Sequence, residues 1–78
     1  MNEVVLNTRN RIVLHDAPED LATYCWVMRC VIHYRENWEH ERPNGPYHGV
    51  VYSRGDLITS LFIYKTKTSI VVRYSLKE

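Results

Sequence analysis

The stretch that decides the fold is DAPEDLATYCWVMRCVIHYRENWEHE, residues 16–41, because apolar side chains recur in it with the period of a helix. Asp16 can cap the first turn, Glu19 follows three positions later as in a capping box, and Pro18 fits a first-turn position. The pattern stops before RPNGP, since proline disfavours the helical conformation in the preceding residue and Asn-Gly favours a turn. We therefore predict one helix from Asp16 to about Glu41.

A helical projection divides this segment into an apolar side and a polar side. The apolar arc is about 180° wide and is predicted to face the core; it contains Leu21, Tyr24, Cys25, Val27, Met28, Val31, Ile32, Tyr34 and Trp38. The opposite side is a narrow stripe of Arg29, His33, Glu36 and His40. The helix is therefore amphipathic and should cover a sheet.

Three segments typical of β-strands follow the helix. They are YHGVVYS, LITSLFIY and SIVVRYSL, which start at residues 47, 57 and 69, and polar connections of hairpin length separate them. This pattern predicts a three-stranded antiparallel meander. In its last strand one face, predicted to lie on the core, carries Ile70, Val72, Tyr74 and Leu76, and the other carries Val71, Arg73 and Ser75.

Two more runs rich in β-branched residues precede the helix. EVVL at residues 3–6 and RIVLH at residues 11–15 predict a hairpin or one interrupted strand. The predicted fold is therefore α+β, with one amphipathic helix packed on an antiparallel sheet in the order β(β)αβββ. We expect residues 1–78 to form one small domain.

Composition and charge exclude several classes of function. Ten Lys and Arg against nine Asp and Glu give a net charge of +1, so no overall field attracts nucleic acid or an anionic membrane. No apolar run approaches the length of a membrane span or a signal peptide. Cys25 and Cys30, five positions apart on a helix, cannot easily pair, and two free thiols fit a reducing compartment. We predict a cytoplasmic protein without membrane contact.

The cluster CVIHYRENWEH, residues 30–40, contains the residue types of a metal or catalytic site. Its spacing argues against a metal, because His33 and His40 would be separated by about 10.5 Å along the helix axis. With Glu36 they could act as general acid and base, but the same spacing is typical of a solvated helix face with weak ion pairs. We assign no metal ligand, cofactor or catalytic residue, and the sequence does not predict an enzyme.

Trp26 is the residue that best indicates a function, because it lies outside the apolar arc. Exposed aromatic and arginine side chains are the usual anchors of protein interfaces. The first hypothesis is a small non-catalytic inhibitor, adaptor or regulatory protein, which binds another protein or a second copy of itself through a helix face of Trp26, Arg29, Cys30, His33 and Asn37. Chains this short without a catalytic signature are common among phage and mobile-element accessory proteins, which suggests such an origin. In the alternative interpretation, the RPNGPY loop or the N-terminal segment covers Trp26.

The second hypothesis is a small ribonuclease or RNA-binding protein. The order of a helix followed by an antiparallel meander is similar to that of small RelE-like messenger-cleaving toxins, although the chain has neither their strong basic charge nor a matching motif. In this hypothesis Arg54, Lys65 and Arg73 bind phosphate groups, and histidines such as His48 transfer protons. Nucleic acid is the less favoured partner because the net charge is near zero.

Overall fold

Four strands and one α-helix make up the fold in the residues that the computed structural model describes, 2–7, 18–54 and 58–76. In chain order they are β1 (Asn2–Asn7), α1 (Leu21–Asn37), a short 3-10 helix (Pro46–His48), β2 (Val50–Arg54), β3 (Ile58–Lys65) and β4 (Ser69–Leu76). The strands form one antiparallel sheet in the order β1-β4-β3-β2. The predicted α+β class and the antiparallel meander after the helix are confirmed.

The first strand joins the sheet beside the last one. β1 pairs with β4 from Asn2 opposite Tyr74 to Asn7 opposite Ser69. The EVVL run is therefore a strand, as predicted, whereas the RIVLH run at residues 11–15 lies outside the described residues.

The helix begins later than predicted, at Leu21 instead of Asp16. Asp20 is the N-cap, and its carboxylate accepts hydrogen bonds from the backbone N–H of Thr23 at 2.8 Å and from the Thr23 hydroxyl at 2.9 Å. Both aspartates of DAPED precede the helical pattern, but Thr23 offers two donors to Asp20. The cap therefore forms at Asp20.

The cap at Asp20 should make stability depend on pH. The hydrogen bonds from Thr23, aided by the charge of Arg54, hold the pKa of Asp20 below its ordinary value of 3.8. A carboxyl with a lowered folded pKa stabilises the fold above its unfolded pKa, and this contribution is lost as the pH falls through the folded pKa. We expect Asp20→Ala to be less stable than the wild type near neutral pH, with a difference that shrinks below about pH 4. Urea unfolding followed by circular dichroism across this range measures it; a difference independent of pH would contradict the assigned cap.

The helix also ends earlier than predicted, at Asn37 instead of about Glu41. The backbone N–H of Glu39 donates to the carbonyl of Tyr34, five residues back, so the last turn widens. The N–H of Arg42 then bonds to the carbonyl of Trp38, and the Arg42 guanidinium lies 4.8 Å from the Trp38 ring. Residues 38–42 are thus a turn that leads into Pro43.

The buried side of the helix is rotated from the predicted arc. Val27, Val31 and Tyr34 are buried as predicted. Three members of the predicted arc are exposed instead: Leu21, Cys25 and Ile32. Thr23 and Cys30 are buried in their place. The prediction failed because β2 lies beside the Trp26 and Cys30 side of α1, so the sheet covers a part of the helix that hydrophobicity alone did not select.

The sheet contributes the other half of the core. Leu61 and Ile63 of β3 and the alternating residues of β4 form one buried cluster with α1: Ile70, Val72 and Tyr74. The predicted alternation of β4 is confirmed on this face. Val71 is also buried, and Arg73 is half-buried with its guanidinium 5.4 Å from the Tyr64 ring, so the opposite face is partly solvated.

Candidate docking surface

Four of the five predicted partner-binding residues lie together along one side of α1. Trp26, Arg29, His33 and Asn37 follow one another at spacings of three or four residues, which places them in a continuous row. We call this row the helix flank. Trp26 is half-buried, and the other three are exposed. The amide of Asn37 donates to the carbonyl of His33 at 2.9 Å, which holds its side chain on the row.

Strand β2 holds the helix flank in place through Tyr52, which contacts His33. The Tyr52 hydroxyl lies 2.9 Å from Nδ1 of His33, with the two rings edge to face at 5.7 Å. Burial, together with nearby Cys30 and Tyr34, raises the pKa of Tyr52 to about 12. The hydroxyl therefore keeps its proton at neutral pH and can donate a hydrogen bond to Nδ1 of His33.

Arg54, at the end of β2, secures the other end of the flank. Its guanidinium donates to the carbonyl of Ala22 at 3.2 Å and lies 5.9 Å from the Trp26 ring. Trp26 itself packs against the core cluster. The indole is thus half covered by the protein's own residues. Arg54 provides part of the cover that the alternative interpretation assigned to the RPNGPY loop or the N-terminal segment.

A cleft of about 480 Å³ opens beside Trp26, lined by Ala22, Cys25, Trp26, Arg29 and Arg54. Two guanidinium groups and an indole are the side chains that dominate binding energy at protein interfaces. The Asp20 carboxylate, which accepts hydrogen bonds from Thr23, also interacts electrostatically with Arg54. The cleft thus combines the cationic group of exposed Arg29 with the apolar face of the Trp26 indole.

Sequence reasoning missed Tyr52 and Arg54 as members of this surface. The signal was present, since Val50, Tyr52 and Arg54 alternate with Val51 and Ser53 along β2. That alternation places Tyr52 and Arg54 on one face of the sheet. The sequence alone did not reveal that α1 lies over that face.

The predicted acid and base stripe does not converge on one point. His33 is bonded to Tyr52, and His40 is paired with Glu41 at 3.5 Å. Glu36 lies in a separate shallow groove with Ile32, Arg35 and Glu39. Among the described residues no group of three or more His, Cys, Asp and Glu side chains could hold a metal ion.

The four residues of the RNA-binding hypothesis are also dispersed. Arg54 pairs with Ile58 at the start of β3, whereas Lys65 is at its end, roughly 20 Å away along the strand. His48 lies at the Lys65 end, where the N–H of Gly45 bonds to the Lys65 carbonyl. Arg73 stacks on Tyr64, on the sheet face that points away from the helix. The structure therefore does not gather these side chains into one basic platform.

Comparison with known proteins identifies no relative of this chain. No protein-family model, curated protein or solved structure matches it. In the part of the chain that the structure describes, no helix has the length and apolar character needed to cross a membrane. A proposal about function therefore depends on the geometry of the helix flank and its cleft.

Cys30 does not belong to the docking surface. We predicted it beside Trp26 on the exposed face, but only 7% of its side chain is exposed and it is part of the core cluster. Burial raises the pKa of the Cys30 thiol to about 11, so the reactive thiolate is scarce at neutral pH. Cys25, in contrast, is exposed in the cleft.

The two thiols should therefore react at very different rates. In native protein at neutral pH we expect Ellman's reagent to modify Cys25 quickly and Cys30 only after unfolding, which gives one fast thiol per chain. Cys25→Ser should remove the fast phase, and Cys30→Ser should leave it unchanged. Two fast thiols in the folded wild type would contradict the burial of Cys30.

Proposed function

We propose that this protein is a small non-catalytic binding protein that works in the cytoplasm as an inhibitor, adaptor or regulatory subunit. It binds its partner through the helix flank and the adjoining Arg54. The observation that carries the proposal is the open cleft lined by Trp26, Arg29 and Arg54, in which the Arg54 guanidinium lies 5.9 Å from the indole. A phage or mobile-element accessory protein is the setting in which such a chain would act.

The arrangement around Trp26 is that of an anchor site. Its indole packs on the core at one side and lines the cleft at the other, so it is held rigidly while part of it stays accessible. A rigid aromatic loses little conformational entropy on binding, and a neighbouring arginine adds directional hydrogen bonds. Within the described part of the chain, His33, Glu36 and His40 have separate contacts and do not face a common point.

The experiment compares the assemblies formed by the wild type and by Arg29→Glu. Arg29 is exposed, so its replacement should leave the circular dichroism spectrum and the unfolding midpoint nearly unchanged. In cell lysate, size-exclusion chromatography of the tagged wild type should show a complex heavier than 9.3 kDa, which Arg29→Glu weakens by about 30-fold or more. Trp26→Ala should have the same effect on binding, with some loss of stability.

The controls change the same kinds of residue elsewhere. Lys67→Glu makes the same change in charge at an exposed position in the β3–β4 connection, and Tyr47→Ala removes an aromatic ring that is 94% exposed. Both should keep the heavier complex. If Arg29→Glu and Trp26→Ala also keep it, the helix flank is not the docking surface and the proposal is wrong.

A further inference from the structure

Strand β2 is the last strand of the sheet that the described residues form, and in those residues one of its long sides has no neighbouring strand. In the order β1-β4-β3-β2 it pairs with β3, and no other strand of the described segments pairs with it. Among the described residues, the hydrogen bonds outside helices and strands do not involve the backbone of Val50, Val51, Tyr52 or Ser53. Every second residue of this antiparallel strand points its N–H and C=O toward β3, and the residues between them point theirs toward the other side of β2.

This side of β2 has few of the features that usually prevent strand addition. Proteins guard such strands with lysine, proline, irregular geometry or a covering segment. The sequence VVYS has neither charge nor proline, and Val51 is 65% exposed. The register shift in the β2–β3 pair falls between Tyr52 and Arg54, so it leaves the first part of β2 regular.

The helix flank stands directly beside this strand. Tyr52 contacts His33, and Arg54 contacts Trp26 and Ala22. A strand added to β2 would place every second side chain on the helix side of the sheet, about 5 Å from Tyr52 or Arg54. Those side chains would meet the helix flank and the cleft at its end.

The charge of the cleft indicates what such a strand must carry. Arg29 is exposed, and no ion pair of Arg29 is found among the described residues. Arg29 and Arg54 line the cleft from two different elements. A carboxylate that an added strand places in this cleft would form charge-assisted hydrogen bonds with Arg29.

We propose that the partner contributes an extended acidic segment, which adds to β2 as a fifth strand and places a carboxylate in the cleft between Arg29 and Arg54. The inference rests on the proposed function and names the chemistry of the partner. Backbone hydrogen bonds along Val50–Ser53 supply affinity, and the cleft selects Asp or Glu at one position. Trp26 covers the apolar side of the same segment.

A second copy of the chain fits this surface less well. Two β2 strands paired antiparallel around Tyr52 would bring Arg54 of one copy opposite Val50 of the other. Val50–Arg54 contains no carboxylate, so the second strand would offer Arg29 no acidic group. The observations therefore favour a different protein with an acidic strand.

The test uses the full chain and a random 12-residue peptide library displayed on phage, selected on the immobilised wild type. We expect the enriched peptides to contain Asp or Glu among β-branched residues and to lack central prolines. The most enriched peptide, made synthetically, should bind Arg29→Glu about tenfold or more weakly than the wild type and bind Lys67→Glu about equally. Amide hydrogen exchange should slow within Val50–Ser53 when the peptide is bound.

The other outcomes overturn the inference in distinguishable ways. Enriched peptides that need Trp26 but lack acidic residues, or that leave exchange in β2 unchanged, refute the acidic strand while the helix flank remains the docking surface. No enrichment, or a concentration-dependent dimer of the chain alone, also refutes it. Displacement of the peptide by a 20-nucleotide polyuridine RNA would show that the cleft serves nucleic acid instead.

Discussion

Leu61→Ala is expected to lower the free energy of unfolding by about 2–5 kcal/mol, because it leaves a cavity in the centre of the core. Leu61 is fully buried, lies between Tyr52 and Tyr74 in the sheet, and packs in the cluster with α1. A chain of 78 residues has a total stability of about 4–12 kcal/mol. The substitution should therefore remove a large part of it, measured by urea unfolding at constant pH.

Leu21→Ala provides the matched control, because the chemical change is the same at a residue that is 74% exposed. We expect a change within about 0.5 kcal/mol, since the position is at the surface and alanine is a good helix former. The pair also tests the orientation of α1, because the helical projection alone placed Leu21 in the core. Equal losses for the two variants would show that the helix is rotated from the position described.

Gly49→Ala is expected to be the most disruptive single methyl addition near the docking surface. Gly49 has φ −89° and ψ −177°, an extended conformation open to any residue, so its backbone shape does not require glycine. Glycine is required here for steric reasons. An added Cβ would lie 2.5 and 2.6 Å from Cε2 and Cζ of Phe62 and against the carbonyl oxygen of Ile63. The Phe62 ring can rotate away, but the β3 backbone at Ile63 can move only if β2 and β3 separate.

We expect Gly49→Ala to cost about 1–3 kcal/mol in the free energy of unfolding, as overpacking of a well-packed site does. Because β2 carries Tyr52 and Arg54, the variant should also weaken binding at the helix flank. Ser53→Ala is the control on the same strand, at an exposed position where the change should be small. If Gly49→Ala has the same urea unfolding midpoint as the wild type, β2 is not packed against β3 as closely as described.

Much of the fold could be predicted because its signals are local. The alternation of Ile70, Val72 and Tyr74 with their neighbours depends only on the two-residue period of a strand, and the short polar connections indicate hairpins. The existence of α1 followed from its apolar period in the same way. Its limits were wrong by several residues because Asp16 and Asp20 are both capable caps, and only the contact with Thr23 distinguishes them.

The candidate site was less predictable because it depends on contacts between distant parts of the chain. Trp26 and Arg54 are 28 positions apart in the sequence, and their meeting follows from the exact placement of α1 over β2. Apolar side chains occur around most of the helix, so hydrophobicity alone gave an arc that was rotated from the true one. Cys30 was assigned to the surface for that reason, and its burial became clear only with the sheet in place.

The position of β4 determines when during synthesis the sheet can form. β4 is translated after β1, α1, β2 and β3, yet it lies between β1 and β3 and is the strand that joins them. Asn2 pairs with Tyr74, and Asn7 pairs with Ser69, so each partner is translated more than sixty positions later. While the ribosome is still translating residues before 69, β1 lacks the strand with which it pairs, and β3 has only β2 beside it among the described strands. The sheet is therefore completed late in synthesis, and loss of residues 69–76 would remove the strand that links β1 to the β2–β3 pair.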